Sequence, residues 1–151
     1  MCSRMSRSSD SPPLTGKRRE RLLLVDDELS TVFAMREYFA LAGFDVDCAA
    51  GIKDTSVLLE RSAYTAVITD LHLSPQRCGE GLLVAEHIRQ RNVHAVIVML
   101  TGYGSDATAV QAERCGVDLY QTKPVALSVL RDFIERTTAA RNGAAAEGDL
   151  R

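Results

Sequence analysis

Three aspartates, a threonine and a lysine each follow a short apolar or mixed run. Asp26-Asp27 follows R-L-L-L-V, Asp70 follows A-V-I-T, Thr101-Gly102 follows A-V-I-V-M-L, and Lys123-Pro124 follows L-Y-Q-T. Brought together, three carboxylates repel one another and need protons or cations to compensate them. Lys123 offers one positive charge. A hard divalent ion such as Mg²⁺, which prefers oxygen ligands and keeps several waters, offers more. A carboxylate beside such an ion is a nucleophile toward phosphorus: the metal neutralises phosphoryl oxygens while the carboxylate attacks to form an acyl phosphate. Lys123 and the Thr101 hydroxyl suit the remaining oxygens. Taken singly, most of these residues have plainer uses. Asp26-Asp27 suits a helix cap, Thr101 a turn, and Lys123 a solvated surface. Asp70 does not, because ending a buried β-branched run on an unpartnered carboxylate is unfavourable.

These residues meet only if the runs before them are neighbouring strands. Hydrophobic patterning predicts strands over Arg21–Val25, Phe44–Ala49, Ala66–Thr69, Ala95–Leu100 and Leu119–Gln121. Between and after them it predicts helices over Leu29–Leu41, Ile52–Ser62, Gly81–Arg91, Ser105–Cys115 and Val125–Thr138. Strict alternation of strand and helix indicates an α/β fold, a five-stranded parallel sheet with helices on both faces. Right-handed crossovers leave few topologies, and the doubly wound, flavodoxin-like order 2-1-3-4-5 is the expectation. Such folds place their site at the carboxyl ends of the strands, where the aspartates, Thr101 and Lys123 fall. The Ser-, Arg- and Pro-rich residues 1–19 read as a disordered basic tail, 20–141 as the domain, and 142–151 as a flexible tail.

Composition excludes several classes. A formal net charge of −2 gives no bulk attraction to DNA or membrane. No apolar stretch approaches a membrane span, and the N-terminus lacks the core of a signal peptide. Cys2, Cys48, Cys78 and Cys115 have no paired spacing and read as free thiols of a cytoplasmic protein. His72, His87 and His94 form no zinc pattern and read as surface or boundary residues.

With these residues in hand the sequence resembles the receiver domain of two-component response regulators, over about residues 20–138. The likeness rests on Asp26-Asp27, Asp70, Thr101-Gly102 and Lys123-Pro124 in order, and on the stretch T-G-Y-G-S-D-A-T-A-V-Q-A-E-R-C-G-V-D-L-Y-Q-T-K-P. The resemblance implies Asp70 as phosphoacceptor. It implies Mg²⁺ held directly by Asp27, Asp70 and the backbone carbonyl of His72, with Asp26 acting through a coordinated water. It further implies Lys123 and Thr101 on phosphoryl oxygens, Tyr120 changing rotamer with Thr101, and Gly102 and Tyr103 tuning the lifetime of the phosphoryl group. The donor would be a histidine kinase or a histidine phosphotransfer protein. The output would be a shift of the helix 4–strand 5–helix 5 face. With few residues after helix five, the expectation is a stand-alone regulator, monomeric or weakly dimeric, that acts on another protein without contacting DNA and is not an enzyme in the turnover sense.

Some positions depart from the family pattern. Val125 stands where an aromatic is usual, and Leu119 where an acidic residue is typical of regulators that dimerise through this face. Pro75 and Gly81 come later after Asp70 than expected, so Ser74–Glu80 reads as a lengthened loop. Other readings stay open: an Mg²⁺-dependent phosphatase with an Asp nucleophile, a flavin- or nucleotide-binding module, and a receiver-like domain that is never phosphorylated. A phosphatase of that kind wants a D-x-D motif, a nucleotide module a Gly-rich loop after strand one. Neither is present.

Overall fold

The computed structural model describes residues 19–73, 79–92 and 94–149. Five strands, β1 (Arg21–Val25), β2 (Asp45–Ala49), β3 (Ala66–Asp70), β4 (Val96–Thr101) and β5 (Leu119–Thr122), alternate with α1 (Leu29–Leu41), α2 (Ile52–Arg61), α3 (Glu80–Arg91), α4 (Asp106–Arg114) and α5 (Leu127–Asp149). The sheet is parallel throughout, in the order β2-β1-β3-β4-β5. Fold class and topology are as the sequence predicts.

The period-two alternation of strands accounts for the two cores. Leu23 and Val25 of β1, Val67 of β3, and Ile97 and Met99 of β4 face one way, onto Leu59 of α2, Val84, Ala85 and Ile88 of α3, and Ala112 of α4. Leu22, Leu24, Ala66, Ile68, Val96, Val98 and Leu100 face the other way, onto Met35 and Phe39 of α1 and Leu130 and Ile134 of α5. β1, β3 and β4 are thus covered on both faces, so their sequences read as unbroken apolar runs.

Most element ends fall within two residues of expectation, and the differences have local causes. Phe44 precedes β2 rather than opening it. Its amide donates to the Phe39 carbonyl in the turn that closes α1, and its ring meets Phe39 edge-on at 5.6 Å. β3 includes Asp70, which pairs with Leu100 of β4. Ser105 is the cap of α4, accepting the Thr108 amide, rather than its first helical residue.

The larger correction is α5, which continues past Thr138 through the segment read as a flexible tail. Arg141 holds it down, donating to the carbonyls of His94 and Ala95 and to Asp118. The alanines that follow favour helix intrinsically. A second correction concerns the cysteines. Cys48 is disulfide-bonded, not a free thiol; its partner lies outside the described residues. Spacing along the chain does not reveal which thiols the fold brings within bridging distance. Cys115 is free. Among the described residues no helix is long and apolar enough to cross a membrane. The expected N-terminal tail, with the exception of Arg19, and residues 74–78 of the lengthened loop lie outside the described residues.

Candidate functional site

β1, β3, β4 and β5 lie side by side, so their carboxyl ends form one rim. Backbone hydrogen bonds carry the ladder a residue beyond the strands and fix the loops there. The Asp26 amide donates to Ala49 (3.0 Å), Leu71 to Leu100 (2.8 Å) and Lys123 to Thr101 (2.7 Å). On this rim the Lys123 ammonium stands 3.6 Å from Asp70 Oδ2 and 3.7 Å from Asp26 Oδ2. Asp26 divides its two oxygens between two contacts. Its Oδ1 accepts the Glu28 amide at 2.9 Å, in the turn that leads into α1, while Oδ2 faces the lysine. One carboxylate thus braces the turn before α1 and faces Lys123.

The electrostatics are those of a crowded anionic site. Burial pushes the Asp70 carboxyl above the ordinary carboxylate value; the Lys123 charge and the Leu71 amide pull it back in part, and Asp27 adds to the rise. Burial likewise pushes Asp26 up. The Glu28 amide opposes this, Asp70 reinforces it, Lys123 opposes it and Asp27 reinforces it. Asp27 itself is exposed at the mouth of the site.

Three carboxylates against one ammonium leave an excess of negative charge, and the donor atoms are all oxygens. That set suits a small hard cation with water completing its shell. Among the described residues no three His, Cys, Asp or Glu side chains are gathered closely enough to chelate a metal by themselves. An ion bound here therefore needs water or backbone oxygens as well.

The remaining expected residues are placed as follows. Thr101 is fully buried, and its hydroxyl is engaged in the β4–α4 turn: it donates to the Tyr103 carbonyl at 3.0 Å and accepts the Tyr103 amide at 3.2 Å. Gly102 is exposed, with open space where a side chain would project. The Tyr103 side chain is 88% exposed. The Tyr120 hydroxyl is buried without a hydrogen-bond partner, 3.5 Å from where a Cβ on Gly104 would stand, beneath the same turn. His72 is exposed, and its Nδ1 accepts the Gly79 amide at 3.0 Å. His87 lies 3.1 Å from the Ser56 hydroxyl between α3 and α2, so these two histidines serve local contacts.

Sequence reading missed Glu80, which is buried with its carboxylate on the Ile52 amide at 3.1 Å. A charged residue between two glycines, G-E-G, is the one sequence hint, and a weak one. It also missed Asp118, which accepts from the Ile97 amide (2.8 Å), Arg89 (3.1 Å) and Arg141 (2.6 Å) at the opposite end of the sheet.

Comparison with known proteins agrees with this geometry. Residues 22–135 match the family model of the response regulator receiver domain. Over 132 residues the chain is 33% identical to the response regulator protein PilR of Pseudomonas aeruginosa, covering 87% of this chain and 29% of that protein. It is 36% identical over 103 residues to the photosynthetic apparatus regulatory protein RegA of Rhodobacter capsulatus, covering 68% of this chain and 54% of that protein. The chain thus spans less than two-thirds of the length of these curated relatives. A receiver domain protein from Methanospirillum hungatei shares the fold, with a TM-score of 0.77 at 23% identity over 84% of this chain and 99% of that one. A response regulator from Burkholderia pseudomallei, solved with a phosphorylated aspartic acid and a calcium ion, superposes with a TM-score of 0.71 at 25% identity, over 85% of this chain and 74% of that one. The chain belongs to the response regulator receiver family.

Proposed function

We propose that Asp70 accepts a phosphoryl group from a phosphohistidine on a histidine kinase or histidine phosphotransfer protein, and that the change is read by a partner protein on the face formed by α4, β5 and α5. The observation that carries this reading is the Lys123 ammonium set between Asp70 and Asp26 at the rim of the sheet.

An Asp70 carboxylate oxygen attacks phosphorus. The new P–O bond forms as the P–N bond breaks, and the imidazole nitrogen leaves with that electron pair. Asp70 has to be ionised to attack, and Lys123 favours the ionised form against the effect of burial. The same ammonium then faces the phosphoryl oxygens. Asp26, Asp27, Asp70 and the His72 carbonyl are the residues that would hold Mg²⁺, which neutralises phosphoryl charge when bound. The rest is positioning and electrostatic complement. The chain modifies itself once and turns over no substrate, so it is not an enzyme in that sense.

For readout, the Thr101 hydroxyl exchanges its bonds to the Tyr103 backbone for a phosphoryl oxygen and draws the β4–α4 turn toward Asp70. Tyr120, whose hydroxyl lies unpartnered beneath that turn, senses the movement. A new charge of this kind biases a two-state element, which is how such modifications act at a distance. The Burkholderia regulator's phosphorylated aspartic acid and bound calcium ion support the reading by analogy.

The test is to incubate the protein with acetyl phosphate and Mg²⁺ and measure its intact mass. One phosphoryl adduct, absent in Asp70→Asn, is expected. No adduct with acetyl phosphate or with a panel of phosphorylated kinases refutes the reading.

A further inference from the structure

Glu80 is a carboxylate only 7% exposed at the first position of α3. Its Oε2 accepts the amide of Ile52, the first residue of α2, at 3.1 Å. α2 has no side-chain cap of its own, since its N-cap is Gly51. That glycine leaves the room, because a Cβ there would stand 2.9 Å from the Glu80 oxygen. The carboxylate therefore meets an orphan amide at the positive end of one helix while opening another.

The next residue ties this contact to the site. The Gly81 amide donates to the Leu71 carbonyl at 2.9 Å. A Cβ on Gly81 would stand 2.2 Å from the Asp70 carbonyl oxygen and 2.8 Å from Leu71 Cα. The first turn of α3 thus rests directly on the backbone that carries Asp70. A continuous set of contacts runs from the start of α2, through Glu80 and Gly81, to Asp70 and Leu71.

We propose that Glu80 is a positioning residue for the phosphoacceptor. It clamps the start of α3 to the start of α2, and through Gly81 it sets the direction in which the Asp70 carboxylate and the His72 carbonyl meet a divalent cation. It touches neither the cation nor the phosphoryl group. The proposal rests on the reading of Asp70 given above. It adds that cation affinity is set partly by a buried contact between two helix starts.

The test is a Mg²⁺ titration of the unphosphorylated protein, followed by backbone amide shifts, so that it does not depend on phosphoryl transfer. The variants are Glu80→Ala, Glu80→Gln, which keeps an acceptor oxygen for the Ile52 amide, and Asp54→Ala. Asp54 accepts the Ala50 amide at 3.2 Å, a bond within the start of α2 that does not reach α3. Glu80→Ala is expected to weaken Mg²⁺ binding roughly tenfold, the low end of the loss seen when a group bonded directly to a metal ligand is removed, because Glu80 acts one contact further away; Glu80→Gln and Asp54→Ala stay within about twofold of wild type. Unchanged affinity in Glu80→Ala, or an equal loss in Asp54→Ala, overturns the proposal, since either makes Glu80 an ordinary stabilising cap. Wild-type protein that binds no Mg²⁺ overturns it too. Wild-type protein that binds Mg²⁺ but takes no phosphoryl group from acetyl phosphate or any kinase refutes the acceptor reading separately.

Discussion

Replacing the Asp70 carboxylate with a neutral amide should stabilise the protein. Asp70→Asn loses the attraction of Lys123 at 3.6 Å. That attraction is worth about 1 kcal/mol with water-like screening and about 5 kcal/mol at an effective dielectric of 20. Lys123 is 31% exposed, which favours the lower part of that range. Against it stand the burial of an ionised carboxylate and the charge of Asp27, and the upward shift of the Asp70 carboxyl is the direction expected when these outweigh the lysine. For a chain of 151 residues each 1 kcal/mol gained raises the Tm by roughly 2–4 °C.

The pH dependence follows from the direction of the shift. A carboxyl raised in the folded state lowers stability as pH climbs from the ordinary value of 3.8 through the folded value, and the full penalty persists above it. The advantage of Asp70→Asn should therefore be largest at neutral pH and vanish in acid. Mg²⁺ should act oppositely on the pair. At ten times its Kd it stabilises the wild type by about 1.4 kcal/mol, and the variant, lacking a ligand, by less. Thermal melts of both proteins across pH, in chelator and in Mg²⁺, read all three effects. A variant less stable than wild type at neutral pH in chelator, or a gap that does not close in acid, refutes the reasoning.

Two further outcomes are expected. Tyr103→Ala keeps the backbone bonds to Thr101 but removes an exposed ring from the β4–α4 turn. Hydrolysis of the phosphoryl group should then accelerate about threefold to tenfold, a barrier change of roughly 0.7–1.4 kcal/mol, and decay no faster than wild type would count against it. Asp118→Ala leaves the Ile97 amide and two arginines without their carboxylate, at the far end of the sheet from Asp70. A loss of roughly 2–4 kcal/mol in urea denaturation is expected, with phosphorylation of Asp70 retained; a loss under about 1 kcal/mol would show the clamp to be ornamental.

What could be read from the sequence follows from periodicity and adjacency. The runs at Leu22–Val25, Ala66–Thr69 and Val96–Leu100 are apolar without a break because helices cover both faces. Residues that follow such runs in a parallel sheet share a rim, so the sequence itself groups Asp26, Asp70 and Lys123. Contacts made across the fold left no such trace. Glu80 reaching Ile52 and Asp118 gathering Arg89 and Arg141 join residues whose spacing along the chain is arbitrary. The length of α5 was misread for a related reason, because composition alone reports nothing of the Arg141 contacts that hold the helix to the body.

The Asp118 clamp has a consequence for how the whole sheet behaves. At one end of β4 and β5, opposite charges meet, with two guanidinium groups donating to one carboxylate and an amide satisfied as well. At the other end, like charges crowd around a single ammonium. The domain is cohesive at its base and frustrated at its rim. If charge is added at Asp70 as proposed, a rearrangement would begin at the rim, while the base keeps the strands in register.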